Sequence, residues 1–570
     1  MAGTHQAVAT HPAGNPSLLR GLWDRRIERY PDTAPRTFYL AIVVLATIVL
    51  YYELYVQGAI APTIMRHYGM SFTFFVYISV VGNIVGAFAS LLAGLADRWG
   101  RANLVAYGLG VVAFLLWFGL PNAPGKDGYL GLLAAVSFVE GIILVATPAL
   151  VRDYSPQLGR ASAMGFWTLG PVIGSLIVAE VSSHTLSQTA DFNDQFRYAG
   201  WAGMIVFVLA LLFLRELSPR LRDQLMVSMR DRALIEARAQ GIDVEASLQH
   251  PWRQMLHLDV VGSAFAISIF LMIYYTMVGF SVIYFTTVFG FSQSQANGLG
   301  NWLWAFDAGA LIVVGLLSDW IKVRKPFMVF GALGSIAMTI YFLMHATRPS
   351  TSYYDFVFML SLLAVFLAIT YAPWMASFTE TVERRNPALT ATGLAVWGWI
   401  IRVIVALSAV AIPLLVTSVT PLVEHGADVA AVQAKYPQQV KTIGEVDPAT
   451  LGILQTNPTD QSAVTKAVGE IAKAEGIAPT EALQRLVAVG QLPANAKETL
   501  AKYGTKVATA AMDAPHEWQK WFWVCVGCEV AFIPFVFVMT GRWSPRRARE
   551  DAQQHEEMVQ RELAALTSGS

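Results

Sequence analysis

Five ionisable side chains sit inside apolar runs, and each needs a reason to be there: Glu53, Glu140, Asp307, Arg402 and Glu529. Even the gentlest scales put a charge at the middle of a lipid-spanning helix at about 2.5–3.5 kcal/mol. Glu53 lies in Tyr51-Tyr52-Glu53-Leu54-Tyr55-Val56-Gln57-Gly58. Its Tyr and apolar neighbours partly desolvate the carboxylate, which disfavours the charged form. Such a group can take up or release a proton near neutral pH and tie proton flow to a change of shape. The plainer alternative is an inert, paired or permanently protonated Glu, since structural networks also perturb titration. Glu140 and Asp307 are further candidates for proton exchange. Arg402 stays protonated, so it must face an internal carboxylate or an anionic solute. Tyr52, Gln57, Tyr274, Tyr275, Tyr371 and Trp374 offer rings, hydroxyls and an amide to a modest polar ligand, although Tyr and Trp are equally common as packing residues. Pro148 and Pro373 can break helices where a site is needed.

The elements that position these groups follow from composition. Of 570 residues, 55% are hydrophobic and only 14% charged, where soluble domains run near 25% charged. The apolar residues come in blocks, and a helix crossing a bilayer needs about 20 of them. Spans are expected at about 37–62, 72–95, 103–120, 129–151, 161–182, 198–214, 258–287, 295–317, 327–345, 353–376, 388–416 and 517–540. The first 36 residues are polar and basic-rich, and the run after them is too long for a signal-peptide core. It therefore reads as the first membrane helix. Basic residues gather in alternate loops: Arg98 and Arg101, Arg152 and Arg160, Lys322, Arg324 and Lys325, Arg384 and Arg385, and Arg542 to Arg549. That pattern places both termini in the cytoplasm. The expected organisation is a tail (1–36), a six-helix bundle (37–214), a cytoplasmic linker (215–257), helices seven to eleven (258–416), an extracytoplasmic helical insertion (417–516), helix twelve (517–540) and a second tail (541–570). Within the insertion, helices are expected at about 462–475 and 479–489. Forty basic residues balance forty acidic ones, which removes the overall basic field of a nucleic-acid binder. The histidines are scattered, and Cys525 and Cys528 share one apolar segment. No metal-ligand cluster, nucleophile motif or nucleotide loop is present, so neither an enzyme nor a cofactor is expected.

Two loops carry matching residues six spans apart. The first reads Ala93-Gly94-Leu95-Ala96-Asp97-Arg98-Trp99-Gly100-Arg101, and the second Gly315-Leu316-Leu317-Ser318-Asp319-Trp320-Ile321-Lys322-Val323-Arg324-Lys325. Each sets a small residue four before an Asp, with basic residues beyond, as an internal duplication of six helices predicts. Here the chain resembles the major facilitator superfamily, whose signature loop is Gly-x-Leu-x-Asp-Arg-x-Gly-Arg-Arg. The match is at Leu95, Asp97, Arg98, Gly100 and Arg101. Ala93 replaces the leading Gly, Ala102 replaces the last Arg, and the second copy runs two residues longer. The resemblance covers the membrane spans but not the insertion.

The resemblance implies an all-α membrane protein of twelve helices in two pseudo-symmetric bundles, in the inner membrane of a bacterium, that rock about a central pocket. It assigns Asp97, Arg98, Gly100 and Arg101, with Asp319, to a latch holding the halves together in one gate state. The plainer alternative is that the basic residues set topology. Tyr52 to Pro62 resembles the first helix of proton symporters for sugars and organic acids, which often carry an acid at the place of Glu53. The fourth helix departs from many relatives, with Ser137 where an Arg is usual. Asp307 and Arg402 lie on helices of the same half in this fold, so they are possible partners of each other. Gly170-Pro171-Val172-Ile173-Gly174-Ser175 partly resembles an exporter motif, and close packing of small residues explains it as well. The expected function is a proton-coupled secondary transporter for a small organic acid or similar metabolite, its partners being that solute, protons and the bilayer. Efflux of amphipathic compounds is the rival within transport. A receptor or scaffold that recruits a partner through 418–516 is the rival from another class.

Overall fold

In the computed structural model the described residues are 23–91, 99–155, 168–186, 191–218, 221, 251–348, 350–385, 390–539 and part of 541–561. Apolar sequence makes helices here because only intrachain hydrogen bonds satisfy the backbone in hydrocarbon. Eleven of the described helices are long and apolar enough to cross a membrane.

The first half contains α1 (Thr33–Ala59), α2 (Phe72–Leu91), α3 (Arg101–Asn122), α4 (Gly125–Tyr154), α5 (Gly170–Thr185) and α6 (Asn193–Phe213). The second half opens with α7 (Leu258–Val288), α8 (Gln293–Ile321), α9 (Lys325–His345), α10 (Tyr353–Arg385) and α11 (Thr390–Leu415). The insertion follows: α12 (Val419–Lys435), α13 (Pro437–Gly444), α14 (Pro448–Thr456), α15 (Gln461–Glu475), α16 (Pro479–Gly490) and α17 (Ala494–Thr499). The twelfth long helix is α18 (Thr505–Val538), which starts well before the expected 517 and carries Pro515 and Pro534 within it. The expected fifth span is described only as α5, because residues 156–167 lie outside the described residues.

The packing repeats with a six-helix offset. In the first half α2 packs on α4, α3 on α4 and α6, and α1 on α5 and α6. In the second half α8 packs on α10, α9 on α10 and α18, and α7 on α11 and α18. The two halves meet through α5 against α8 and α2 against α11, pairs that the same offset interchanges. Large apolar side chains such as Phe88, Trp201, Ile205, Val313, Leu316, Trp399 and Leu414 point outward. An apolar surface of that extent belongs against lipid.

A two-stranded parallel pair, β1 (Arg26–Ile27) with β2 (Glu216–Leu217), ties the segment before α1 to the chain leaving α6. Arg25 donates to Ala210 O at 3.0 Å, and Asn103 Nδ2 to Trp23 O at 2.8 Å. The insertion has a small core of Val446, Ala467, Ile471 and Ala482. Its α15 is capped by the Asp460 side chain at one end and by left-handed Gly476 at the other. The first insertion helix, α12, touches both halves: the short helix Ala61–Tyr68 and α2 on one side, α7 and α18 on the other.

Candidate functional site

Five half-buried phenols gather where the halves face each other. Tyr51 and Tyr55 are one turn apart on α1, with rings 5.5 Å apart. Tyr274 and Tyr275 on α7 meet edge to face at 5.3 Å, and Tyr274 meets Trp304 of α8 at 5.2 Å. Tyr371 comes from α10. The hydroxyls form one electrostatic neighbourhood: Tyr275 is within Coulombic reach of Tyr51, Tyr274 of Tyr55, and Tyr371 of both Tyr275 and Tyr51. Glycines on α5 allow this. A Cβ at Gly174 would lie 2.6 Å from the Tyr51 Cβ, and one at Gly170 2.7 Å from the Thr47 methyl. The Gly-Pro stretch therefore has a packing reason that does not involve export. Beside Tyr55 and Trp304, and also lined by Ser175 and Asn297, lies a space of about 30 Å³. It has room for a water or two rather than a metabolite.

Helix rotation sorts the aromatic candidates named from sequence. Tyr274, Tyr275 and Tyr371 are in the cluster. Tyr52, 2% exposed, turns instead into the first half, within Coulombic reach of Glu53 and Tyr198. Gln57 is half-buried, and its Oε1 has no hydrogen-bond partner. Trp374 is fully buried behind Tyr371. It stacks on Tyr371 at 6.0 Å and Phe378 at 4.9 Å, and donates to Ser263 Oγ at 3.1 Å. The spacing of Tyr51 and Tyr55, four residues apart on one helix face, was the available sign that they belong together.

The charges divide in the same way. Glu53 is 3% exposed and turned toward α3 and α6. A Cβ at Gly203 would collide with its Oε1 and would lie 2.9 Å from the Ala113 Cβ. Neither Glu53 oxygen has a hydrogen-bond partner. Glu140 on α4 is equally buried, has an unpartnered Oε1, and is within Coulombic reach of Glu53, Tyr51 and Tyr55. Asp307 on α8 is 4% exposed, one turn from buried Trp304, and within Coulombic reach of Tyr274 and Tyr371. Arg402 is exposed on α11, within Coulombic reach of Tyr51 in the other half. The anticipated Asp307–Arg402 ion pair does not form. Asp307 is within Coulombic reach of Tyr274 on α7 and Tyr371 on α10, and Arg402 of Tyr51 on α1. Glu529 on α18 accepts from Ser335 Oγ at 2.7 Å and Thr339 Oγ1 at 3.0 Å, and so fastens α18 to α9.

At the end of the molecule that carries the two signature loops, Asp97 and Arg98 lie outside the described residues. Gly100 has φ 91°, and a Cβ there would collide with the Glu216 carboxylate. That carboxylate accepts from the Arg101 backbone N–H at 2.6 Å. Arg101 Nη1 reaches both Asp153 oxygens, at 2.9 and 2.7 Å. In the second half Arg324 binds Asp319 at 2.7 Å and Glu380 at 3.2 Å. An Arg at the start of α3 or α9 thus pairs with an acid at the end of α4 or α10. Asp153, Glu216 and Glu380 escaped the sequence reading, although the six-helix offset could have matched Asp153 to Glu380.

Each of these pairs, and Arg385 with Asp259 at 2.8 Å, stays within its own half. The polar ties across the halves among described residues lie at the opposite end, next to the insertion. Asn297 Nδ2 donates to Ala59 O at 3.0 Å and Asn301 Nδ2 to Ser183 Oγ at 3.0 Å. Gln293 donates to Thr63, and Ser294 to the Ser183 carbonyl.

A family model described as Major Facilitator Superfamily matches residues 43–407. The sequence matches no curated protein. Among solved structures, the fold is similar to a bacterial homolog of the human lysosomal transporter Spinster in an inward-facing and occupied conformation. That likeness has TM-score 0.52 and 15% identity, covering 87% of this chain and 97% of that one. It is also similar to the proton:xylose symporter XylE bound to 6-bromo-6-deoxy-D-glucose, with TM-score 0.53 and 13% identity, covering 68% of this chain and 90% of that one. At these identities the likeness is one of fold.

Proposed function

The chain belongs to the major facilitator superfamily, and on that premise we propose that it is a secondary active transporter. It couples protons to the movement of a small organic acid across the inner membrane by alternating access. The observation that carries this reading is the one-sided seam. Among the described residues, polar ties join the halves at the insertion end, while the ion pairs at the loop end lie within one half, with five phenols and Arg402 between. In this reading the structure is one of two gate states, and Arg101, Arg324 and their neighbours serve the loop-end latch in the other.

Arg402 is the anion-recognising group, and the phenols supply hydrogen bonds and ring faces around it. Glu53 and Glu140 are the proton-exchanging pair. Two buried carboxylates within Coulombic reach of each other favour a shared proton, because both cannot ionise cheaply. Their place behind α1, rather than in the cluster, makes them responsive to how α1 packs on α3, α4 and α6. The termini and the two signature loops are cytoplasmic, and the insertion is extracytoplasmic.

The test is uptake of candidate acids into proteoliposomes under an imposed pH gradient. Accumulation should follow an inward proton gradient and collapse when the gradient is dissipated. Unchanged accumulation after that dissipation would remove the proton coupling. Absence of any uptake or exchange would remove the carrier reading.

A further inference from the structure

Each of the four polar ties across the seam has α8 as its second-half member, through Gln293, Ser294, Asn297 or Asn301. Where α2 comes up to α7 the halves meet through rings instead. Phe72, 1% exposed, meets Phe280, 8% exposed, edge to face at 5.7 Å. The first insertion helix, α12, packs on both carriers of this contact, α2 and α7, and also on the short helix Ala61–Tyr68 and on α18. Its Val419 and Val423, one turn apart, are buried in the same apolar core as the two rings.

The two sides of α12 are held differently. Just before its start, Glu517 of α18 accepts from Thr417 Oγ1 at 2.8 Å, from the Ser418 N–H at 2.9 Å and from Ser418 Oγ at 2.6 Å. Two turns along, His425 stacks at 3.6 Å on Tyr503, in the turn Leu500–Gly504 that leads into α18. The chain also enters α12 directly from α11. Hydrogen bonds to a carboxylate are short, strong and directional, so the helix is fixed in place on the second half. Among the described residues, α12 makes no hydrogen bond or ion pair with the first half. It only packs there, and apolar contact is non-directional, so it can part and re-form. The matching connection in the first half, residues 186–192 between α5 and α6, is too short to hold such a helix.

We propose that α12 is an extracytoplasmic lid carried by the second half. It closes the α2 side of the seam by covering the Phe72–Phe280 contact, and it comes off Ala61–Tyr68 and α2 when this end opens. The hinge side of the lid is the Glu517 anchor, and its free side is the apolar face that carries Val419 and Val423. This rests on the carrier reading above and gives the first helix of the insertion a part in the gate.

The experiment is pulsed electron–electron resonance on the full chain in nanodiscs, in a background with Cys525→Ala and Cys528→Ala. Spin labels go on Lys435→Cys in α12, Lys126→Cys in the first half and Arg348→Cys in the second, two at a time; all three sites are exposed. Distances are compared in acidic and alkaline buffer and with Asn297→Ala, which removes a tie at this end. When the Lys126–Arg348 distance lengthens, the Lys435–Lys126 distance should lengthen with it by several ångströms, and the Lys435–Arg348 distance should hold. Any other pattern accompanying that opening, such as Lys435 keeping its distance from Lys126, overturns the lid and leaves the carrier standing. A Lys126–Arg348 distance that never changes counts against the carrier reading itself, and the lid falls with it. A second readout is chemical. With Phe280→Cys in the same background, an impermeant maleimide should react about tenfold faster once Glu517→Ala removes the anchor, the scale of lost charge-assisted hydrogen bonding. Unchanged reactivity in a protein that melts like its parent also overturns the lid. The distances need no Glu517 variant, so they decide the case if Glu517→Ala does not fold.

Discussion

At the scale of the residue, Glu53 and Gly203 form a lock-and-key pair, and that gives the sharpest stability test. Any side chain at Gly203 must displace the Glu53 carboxylate or push α6 off α1. Gly203→Ala should lower stability by about 1–3 kcal/mol, as overpacking of a tight interior does, read as an earlier thermal transition in detergent. Gly203→Ala in a Glu53→Ala background should recover most of the loss, and a failure to recover would mean that Glu53 is not what fills the space. The functional counterpart is Glu53→Gln. It should keep counterflow exchange and lose accumulation driven by a pH gradient, measured in the same vesicles. The two arginines at the loop end should differ. Asp153 is almost fully buried beside Arg101, whereas Asp319 and Glu380 are substantially exposed beside Arg324. Arg101→Ala removes a two-oxygen, charge-assisted contact to a buried carboxylate and should cost about 1.5–3 kcal/mol. Arg324→Ala should cost about 0–1 kcal/mol in the same melt, because solvent screens its partners.

At the scale of the element, the helices were legible in the sequence and their rotations were not. Apolar runs placed the spans because bilayer thickness fixes their length. In the insertion, the expected 462–475 and 479–489 lie within one residue of α15 and α16, since Asp460, Gly476 and Pro479 mark helix ends in local chemistry. The twelfth helix instead begins at Thr505, well before the expected 517, and Pro515 lies inside it. Which face of α1 meets the centre was hidden. It is set by Gly170 and Gly174 on α5 and Gly203 on α6, residues far away in sequence that fit against Tyr51 and Glu53. For that reason the reading favoured Tyr52 where the structure presents Tyr51 and Tyr55, and paired Asp307 with Arg402 where the structure separates them. The seam beside the insertion also makes an element-scale prediction. Asn297→Ala removes a tie between α8 and the end of α1, so that end should open more often. Maleimide labelling of Ser175→Cys, buried beside the small cavity, should quicken several-fold in a background lacking Cys525 and Cys528. An unchanged rate would mean that Asn297 does not seal this end.

At the scale of the whole molecule, the repeated packing and the paired Arg-acid clusters describe two similar bundles facing each other across a cluster of phenols. The signature loops make that duplication legible in the sequence, since Asp97 and Asp319 stand six spans apart. The state was not legible in the sequence, because under the proposed alternating access two arrangements of one chain differ only in which end is sealed. The insertion bears on that balance, since α12 touches both halves at this end and Thr417 and Ser418 hold Glu517, which lies inside α18. The central claim is a reciprocal motion, and pulsed electron–electron resonance distances in nanodiscs test it most directly. One label pair at Trp99 and Trp320 reads the loop end, and another at Lys126 and Arg348 reads the insertion end. When pH or a transported solute shifts the equilibrium, the first distance should shorten as the second lengthens. Distances that stay fixed across those conditions, or that change together with the same sign, would contradict the account.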